Sequence, residues 1–486
     1  MRFLLDTNIL IPLEDSSLPL GQSLARFVRL ANEHGHTLVY HPASEDDINR
    51  DRDLDRRNRT LERLTQYTRL DGRQLCPWNT TDTPENDAAD NEILYALECD
   101  AAHALVTQDR VIHDKARAKG LIHRVYTIQT ADDFLRRLHE PTYVRLPNIE
   151  DVELHTLTRL LGSEFFDSLR DGYGGFDEWF REKARGGRKA WVYWEDVGRL
   201  GAICIYARQE NEPITDDGNV LQGAALKLCT FKVAESCWGR KIGELFLKAA
   251  FRYATANRLE HIFVHGNLVK QHFLFQFLEE FGFELVGMYQ GDATYVKRHP
   301  VAVPTSPLDA FDYVRYFYPH FRHDETVNKF IVPIRPEFHQ VLFPDYEFGP
   351  RQFSLFAPSN TAGNAIKMAY LCHAQIKEIK PGDVVLFYRS GDHRAITSIG
   401  VVEQYEALSD ASVIAGRVSR RTVYSMDEIT ELAHKPTKVM LFRLVRHFSN
   451  PVTHDWLTSQ HVINGNIQSI RAIGHQNFET VIAAGG

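Results

Sequence analysis

The chain has 486 residues but few cysteines, and they are not arranged as metal ligands. No two of the six are in C-x-x-C spacing, and most fall in apolar runs: Cys76, Cys99, Cys204, Cys229, Cys237 and Cys372. This usage argues against a cysteine-held zinc site and a disulfide framework. Buried, reduced thiols predict a cytoplasmic protein.

Long apolar runs are also missing. No apolar stretch approaches ~20 residues, the length that spans a bilayer, so we expect no membrane partner. The apolar run at the N-terminus ends at Asp6 and has no cleavage pattern, which argues against a secretory signal peptide.

The sequence also lacks an excess of positive charge. The 56 basic and 64 acidic residues give a formal charge of −8. This balance excludes a nucleic-acid coat protein, so contact with RNA must come from local basic patches. The apolar content of 43% supports ordinary packing, and the length predicts three domains.

Acidic residues accompany four apolar segments near the N-terminus. They are Asp6 after the strand at 3–5, Asp47 after the strand ending at Tyr40, Asp90 before the apolar run 93–97, and Asp109 after the strand 104–107. Ligands bind at the carboxyl ends of parallel strands, so we expect these acids to converge. Clustered carboxylates need a cation, and oxygen ligands suit Mg²⁺ or Mn²⁺, which can activate water for phosphodiester hydrolysis.

The segments LLDTNILI, HPASEDDINRD, DAADNEILYAL and ALVTQDR resemble the four acidic motifs of the PIN-domain ribonucleases, over about residues 1 to 140. The resemblance implies a doubly wound parallel sheet in which Asp6, Asp47, Asp90 and Asp109 hold the metal and carry catalysis. It places Thr7 and Asn8 beside the first acid. Alternatives stay open at two positions: Glu45 or Asp46 for the second acid, and Asp87 for the third.

Eight arginines lie between Arg50 and Arg73, on a predicted long helix. They could form a phosphate-tracking surface beside the metal site. They could equally form a solvated face of i,i+4 Asp–Arg pairs. We take Arg56, Arg57 and Arg59 as candidate contacts to RNA, which would be tRNA, rRNA or mRNA.

A strand, a glycine turn and a helix follow one another from Leu228 to Asn257, through LCTFKV and AESCWGRKIG. Free N–H groups at a helix N-terminus bind anions. With the later strand 261–265, the helix 271–280 and FGF at 281–283, this order resembles the GNAT acyltransferases, over roughly 141 to 300. The resemblance implies acetyl-CoA binding by Phe231, Val233, Gly239, Arg240, Lys241, Ile242 and Gly243.

Two positions depart from the GNAT pattern. Lys241 stands where the family turn has glycine, and Leu278 stands where many members keep a general-acid tyrosine. We therefore expect acetyl-CoA binding, but no transfer chemistry through that tyrosine. Glu235, His265 and His272 are alternative bases, or ordinary surface and cap residues.

Three prolines between Arg298 and Pro307 predict a linker, followed by an aromatic-rich connector within 301–329. Beyond residue 330, IKPGDVVLFYRSG and ITSIGVVEQY resemble the small PUA-like barrels of the ASCH or EVE kind. The resemblance implies a C-terminal barrel that senses RNA. Phe387, Tyr388 and Arg389 are candidates for base contacts, or alternating core and surface positions.

These observations predict an α/β chain with a PIN-like domain at 1–140, a GNAT-like domain at 141–300, the connector at 301–329 and a PUA-like barrel at 330–486. The predicted function is a cytoplasmic, metal-dependent endoribonuclease. Its PIN and GNAT resemblances imply a bacterial toxin or defence role, with an antitoxin protein as partner. One alternative is an N-acetyltransferase of RNA or protein with a non-cleaving PIN-like domain. Another is a non-catalytic regulator that senses acetyl-CoA and nucleic acid.

Overall fold

In a computed structural model the chain forms two compact units. Unit 1 comprises Met1–Thr142 and Ala407–Val439, and unit 2 comprises Tyr143–Glu406 and Met440–Gly486. The structure describes residues 1–14, 21–50, 53–71, 76–80, 83–140, 149–196, 198–238, 240–344, 346, 365–418, 421 and 423–486. Helices and sheets are mixed throughout, as predicted.

Unit 1 is built on a five-stranded sheet of order β3-β2-β1-β4-β5 in which all neighbours are parallel. The strands are β1 Arg2–Leu5, β2 Thr37–Tyr40, β3 Thr68–Arg69, β4 Ala104–Val106 and β5 Val125–Tyr126. The three central strands are almost entirely apolar because parallel strands are buried on both faces. The strand order reverses between β1 and β4, where open α/β sheets bind ligands. The predicted parallel sheet is confirmed, and the PIN assignment stays a prediction.

Helices cover both faces of this sheet. They are α1 Thr7–Glu14, α2 Gln22–Glu33, α3 Pro42–Asn49, α4 Leu54–Leu64, α5 Glu85–Glu98, α6 Arg110–Ala118 and α7 Ile128–His139. Phe3 of β1 packs edge-on against Phe27 of α2 and Phe134 of α7. The next residue, Leu4, joins the opposite core with Ile93 of α5. Successive strand residues point to opposite faces, so one strand supplies both cores.

Unit 2 contains a seven-stranded sheet of order β11-β12-β10-β9-β8-β7-β6. Its strands are β6 Ile149–Glu153, β7 Lys189–Asp196, β8 Arg199–Pro213, β9 Val220–Val233, β10 His261–Gly266, β11 Glu284–Tyr289 and β12 Asp292–Arg298. Neighbours are antiparallel, except that β9 and β10 run parallel.

Helices pack on this sheet, and two of them follow β9 and β10. They are α8 Asp167–Gly172, α9 Phe176–Arg185, α10 Ile242–Ala256, α11 His272–Glu279 and α12 Ala310–Phe317. Phe246 and Phe251 of α10 are buried with Phe275 and Leu278 of α11 in one core. The predicted strand, turn and helix are therefore present, with α10 beginning at the predicted residue.

A six-stranded sheet completes unit 2, in the order β14-β17-β16-β15-β13-β18. The strands are β13 Lys329–Ile334, β14 Lys367–Cys372, β15 Val384–Arg389, β16 Ala395–Leu408, β17 Thr437–Thr453 and β18 Arg471–Ile473, with helices at α13 Pro336–Leu342, His454–Ser459 and His475–Gly485. Across the described residues the end strands β14 and β18 do not pair with each other. Within the described residues this sheet is open between β14 and β18, and the PUA-like barrel stays a prediction.

The segment 407–439 leaves this last sheet and packs in unit 1. It carries helices Ala411–Val418 and Met426–Leu432. Tyr126 Oη donates to the Gly416 carbonyl at 3.5 Å, and Arg417 Nη1 lies 2.8 Å from His123 Nε2. The predicted domain 330–486 spans this segment, and the predicted boundaries stay a prediction. Within the described ranges, each helix is too short or too polar to cross a membrane.

Candidate functional site

Asp6 lies at the carboxyl end of β1 and is 5% exposed. Its carboxylate accepts hydrogen bonds from the Thr7 backbone at 2.7 Å, from Asn8 Nδ2 at 2.7 Å and from Thr107 Oγ1 at 2.6 Å. Burial raises the pKa of Asp6 to about 6, with smaller upward contributions from Asp90 and Asp109. The predicted polar neighbours Thr7 and Asn8 do contact the first acid.

The other predicted acids lie at the same edge of the sheet. Asp109 caps α6 through a 2.7 Å bond from the Val111 N–H, and its own N–H donates to Thr107 Oγ1. Burial raises the pKa of Asp90, and the Asp109 charge raises it further. Asp47 accepts from Thr7 Oγ1 at 3.3 Å and pairs with Arg50 at 2.8 Å. Asp6, Asp47 and Asp109 are thus connected by hydrogen bonds through Thr7 and Thr107, whereas Asp90 is related to them only by the effect of charge on the pKa values of Asp6 and Asp90.

A lysine supplies positive charge to this edge. Lys115 Nζ lies 2.9 Å from Asp87 Oδ1 and 3.0 Å from Asp90 Oδ2. In the described part of the chain, no three His, Cys, Asp or Glu side chains form a group that could hold a metal. The predicted Mg²⁺ or Mn²⁺ site is therefore not preformed. Lys115 could not be recognised from the sequence because its contact with α5 exists only after helices α5 and α6 pack.

Glu45, one alternative for the second acid, has other partners, whereas Asp87 shares Lys115 with Asp90. Glu45 accepts from Tyr40 Oη at 2.9 Å and from Arg69 Nε at 2.8 Å, which directs it to the β2–β3 side. Among the predicted RNA contacts, Arg57 Nη1 donates to the Asn49 carbonyl at 3.3 Å. The side chains of Arg56 and Arg59 lie outside the described residues, so the RNA surface stays a prediction.

The second candidate site is an opening between β9 and β10. Their parallel pairing runs from Ala225 to Leu228, whereas β9 pairs with β8 as far as Val233. The Ala234 N–H donates to the Gly201 carbonyl at 2.8 Å. Hydrogen-bonded pairs alternate in an antiparallel ladder, so the backbone groups of Phe231 and Val233 point away from β8. They face the side where, among the described strands, β9 has no partner beyond Leu228.

Trp238 lies beside Val233, at the end of this opening where β9 finishes. Its indole Nε1 donates to the Val233 carbonyl at 2.8 Å, and the side chain is 38% exposed. The Phe231 ring packs edge-on against Phe246 of α10, with ring centres 5.5 Å apart. The opening therefore has an apolar wall and a line of backbone hydrogen-bonding groups.

The start of α10 borders the same opening. Lys241, its N-cap residue, has a φ of 59° and makes no side-chain cap. This left-handed conformation favours glycine, the residue of the GNAT pattern at this position. The first N–H groups of α10, from Ile242 and Gly243, have no partner within their own helix. N–H groups at such a helix start can bind an anion.

The predicted cations of this turn already have partners. Lys241 Nζ lies 2.6 Å from Glu244 Oε1, and Arg240 Nη1 donates to Tyr193 Oη at 3.1 Å. An anion at this turn would therefore depend on backbone N–H groups more than on these two side chains. Gly239 lies outside the described residues.

Among the described residues, the three predicted bases are either engaged with a neighbour or exposed. Leu278 is fully buried, so its side chain has no contact with solvent. His265 Nδ1 lies 2.8 Å from Thr294 Oγ1, and burial lowers the pKa of His265 to about 4. His272 Nε2 lies 2.8 Å from Gln276 Nε2, and Glu235 is exposed.

The candidates for base contacts in the C-terminal sheet are buried. Phe387, Tyr388 and Arg389 are at most 3% exposed. Arg389 Nε donates to Asp392 Oδ1 at 2.8 Å. Strand β15 pairs with β13 along one edge and with β16 along the other, and its side chains are buried on both faces. An exposed stacking platform at these three residues is therefore wrong.

No protein-family model matches the chain, and a comparison with curated proteins also finds no match. Parts of it are similar to solved structures. The ASCH protein from Zymomonas mobilis is 11% identical, with a TM-score of 0.25, over 32% of this chain and 96% of that one. A putative GNAT-family acetyltransferase from Desulfovibrio desulfuricans is 15% identical, with a TM-score of 0.26, over 32% and 99%.

The PaiA N-acetyltransferase from Thermoplasma acidophilum, in complex with coenzyme A, is 14% identical, with a TM-score of 0.24, over 31% of this chain and 99% of that one. With identities and TM-scores this low, function has to be inferred from the geometry of the chain itself.

Proposed function

We propose that unit 2 binds acetyl-CoA in the opening between β9 and β10 and transfers its acetyl group to an amine of RNA or protein. The observation that carries this proposal is the outward-facing backbone of Phe231 and Val233 beside the N-terminus of α10. The amides of the pantetheine arm pair with this backbone as an added strand does. The pyrophosphate lies at the Ile242 and Gly243 N–H groups.

Gly243 offers a matched pair of variants. A Cβ at this position would meet the Phe277 ring at 3.4 Å, which is ordinary van der Waals contact. Gly243→Ala should therefore keep acetyl-CoA affinity within about twofold, because the backbone N–H remains. Gly243→Asp should weaken binding by roughly tenfold or more, because its carboxylate repels the pyrophosphate. Calorimetric titration measures both, and equal affinity in the two variants would remove the anion site from this turn.

A second function is supported by the acidic edge of unit 1: metal-dependent cleavage of RNA. Asp6, Asp90 and Asp109 influence one another electrostatically at the point where the strand order reverses. These acids do not form a metal-holding group among the described residues, so a divalent cation would have to draw their carboxylates together before it could activate water and stabilise charge on the phosphate. Asp47 is linked to them through Thr7.

This second function is tested by incubating total RNA with the purified chain and Mn²⁺. Asp6→Asn removes the charge with little change in volume, and cleavage should fall below one hundredth of the parent rate, in line with the loss of a key electrostatic group. Asp100→Asn is the matched control, since Asp100 is exposed and pairs with Arg124. Unchanged cleavage by Asp6→Asn contradicts the assignment. If the chain binds acetyl-CoA and RNA but neither transfers the acetyl group nor cleaves the RNA, the result would instead support a non-catalytic regulator that senses both.

The proposed toxin or defence role is tested by the effect of the protein on bacterial growth. Induced expression of the intact chain should arrest bacterial growth, and the Asp6→Asn or Gly243→Asp variant should relieve the arrest, according to which unit is responsible. Normal growth on expression of the intact chain would contradict the toxin proposal.

A further inference from the structure

The turn before α10 has a backbone conformation that its own sequence does not favour. Lys241, the N-cap residue, lies in the left-handed region, with φ 59° and ψ 16°. A residue with a Cβ is destabilised there by contact with the following carbonyl oxygen, whereas glycine is not. The conformation at this residue sets the direction of the next two N–H groups, from Ile242 and Gly243. The proposed anion site therefore depends on a conformation that another part of the protein must stabilise.

Glu244, at the third position of α10, makes the stabilising contact. The Lys241 Nζ donates to Glu244 Oε1 at 2.6 Å, and both side chains are nearly buried. A glutamate at this helical position usually accepts from the backbone N–H of the N-cap residue. Here its carboxylate binds the side chain of the N-cap residue instead. An ion pair shielded from water is stronger than a surface pair, so this contact can hold the turn.

The Glu244 carboxylate is itself fixed by the last sheet of unit 2. Its Oε2 accepts from the backbone N–H groups of Ile366 and Lys367, both at 3.0 Å, where β14 begins. Burial opposes ionisation, but Lys241 and the Lys367 backbone N–H outweigh it and lower the pKa of Glu244. A charged carboxylate thus joins Lys241 to a strand more than 120 residues away in sequence, since Ile366 lies 122 residues beyond Glu244.

We propose that Glu244 is a positioning residue for acyl-CoA, which holds Lys241 in the left-handed conformation that directs the first N–H groups of α10 to the pyrophosphate. This inference rests on acetyl-CoA binding between β9 and β10. It makes the anion site beside the seven-stranded sheet dependent on β14 of the six-stranded sheet. Glycine at position 241 adopts the left-handed conformation unaided, so the contact with Glu244 would then be dispensable.

Two variants of Lys241 test the role of the backbone conformation. Lys241→Gly and Lys241→Met both remove the ammonium and leave the contacts of Glu244 with β14, but only glycine tolerates the left-handed region. Calorimetric titration with coenzyme A should therefore give a dissociation constant about tenfold higher for Lys241→Met than for Lys241→Gly. Equal affinities would mean that the conformation at this residue does not affect binding, and would overturn the proposal.

Glu244→Ala tests the contact itself, in two backgrounds. In the parent it should weaken binding of coenzyme A about tenfold, because Lys241 is then free to leave the left-handed region. In the Lys241→Gly background the same change should alter affinity by less than about twofold, because glycine needs no support. A carboxylate that merely repelled the pyrophosphate would act in the opposite direction. Tighter binding by Glu244→Ala, or an equal loss in both backgrounds, therefore overturns the positioning role.

Glu280→Ala is the matched control. Glu280 pairs with the Lys367 side chain, so its removal affects the same end of β14 without a change at Lys241. Affinity for coenzyme A should stay within about twofold of the parent, as expected for a partly exposed ion pair. A loss equal to that of Glu244→Ala would assign the effect to the packing of β14 in general and overturn the role of Glu244.

Thermal unfolding checks that each variant is folded, and the two Lys241 variants keep the proposal testable if Glu244→Ala does not fold. Failure of these comparisons overturns the role of Glu244 while leaving acetyl-CoA binding intact. Absence of coenzyme A binding by the parent chain overturns the binding proposal itself, and this inference with it, so the two failures are distinguishable.

Discussion

At the scale of single residues, charge at the acidic edge of unit 1 is balanced within the protein. The Lys115 ammonium bridges Asp87 and Asp90 at about hydrogen-bond distance. Asp6 is balanced differently, since three neutral donors stabilise its ionised form while burial opposes it. A divalent cation entering this edge would compete with Lys115 for Asp90.

Lys115→Met should therefore raise the affinity for Mn²⁺, by roughly three- to tenfold, because it removes a like charge close to the proposed ligands. Lys119→Met is the control: it lies at the C-terminal end of the same helix, where Lys119 Nζ sits 4.2 Å from the centre of the Trp78 ring. Calorimetry with Mn²⁺ measures both. Weaker Mn²⁺ binding by Lys115→Met would mean that the lysine supports the site instead of competing with the metal.

A hydrogen-bonded chain of imidazoles lies at the opposite end of β1. The α-amino group of Met1 is 2.8 Å from His36 Nδ1, and His36 Nε2 is 2.7 Å from His139 Nε2. His34 stacks on His139. Burial lowers the pKa of His36 to about 3 and that of His139 to about 4, both from 6.5.

Unit 1 should therefore lose stability as the pH falls. Below pH 6.5 the unfolded chain binds protons at both histidines, whereas the folded chain does not until about pH 4 or lower. Thermal unfolding between about pH 7 and 4 should show this decline, and His139→Gln should make it shallower. Carboxylates are common to both proteins, so the difference in slope isolates His139. Equal slopes would show that His139 titrates normally in the folded state.

At the scale of elements, the first turn of α10 connects the proposed anion site to the last sheet of unit 2. Glu244 is 5% exposed. Its Oε2 accepts from the backbone N–H groups of Ile366 and Lys367 at 3.0 Å, and its Oε1 contacts Lys241. The Glu244 carboxylate thus contacts both Lys241, the N-cap residue of α10, and the backbone at the beginning of β14.

Removing the Glu244 carboxylate should weaken the attachment of the first residues of β14 to α10. Glu244→Ala leaves two buried N–H groups without their acceptor and removes the carboxylate that Lys241 contacts, a loss of roughly 3–5 kcal/mol. Glu244→Gln keeps one acceptor oxygen and should lose less. Hydrogen exchange at the Ile366 and Lys367 amides reports the effect directly, since their protection should fall in that order. Unchanged protection in Glu244→Ala would contradict the connection.

At the scale of the whole molecule, unit 1 is discontinuous in sequence. A truncation at residue 330 would remove the C-terminal sheet and also the part of unit 1 at 407–439. Its effect on RNA selectivity would therefore be mixed with an effect on the stability of unit 1. The helix Ala411–Val418 offers a cleaner test. Ile414 is fully buried, whereas the adjacent Val413 is 40% exposed.

Ile414→Ala should destabilise unit 1 by roughly 2–4 kcal/mol, because it leaves a cavity in a packed core. Val413→Ala should change stability by less than about 0.5 kcal/mol, since it alters an exposed position. Hydrogen exchange at Val125 and Tyr126 in β5 measures the effect within the intact chain. Equal protection in the two variants would show that 407–439 contributes nothing to the stability of β5.

Local patterns in the sequence predicted several elements. The apolar runs at 3–5 and 104–107 predicted β1 and β4, because a strand buried on both faces needs apolar residues throughout. The predicted helix at Ile242 is α10, and the acids at the carboxyl ends of the strands lie at one edge. Those signals are contained within a few neighbouring residues, so they can be recognised without the fold.

Contacts between distant segments could not be predicted in this way. Lys115 meets Asp90 only when α6 packs on α5, and Glu244 meets β14 across more than one hundred residues of sequence. Arg389 is buried in the folded protein although arginine is usually a surface residue, and nothing in the local sequence of 407–439 assigns that segment to unit 1. The sequence by itself determined the elements and the residue types that can do chemistry. The tertiary structure decided which charges are neutralised and which backbone groups stay open, because both depend on distances that only packing creates.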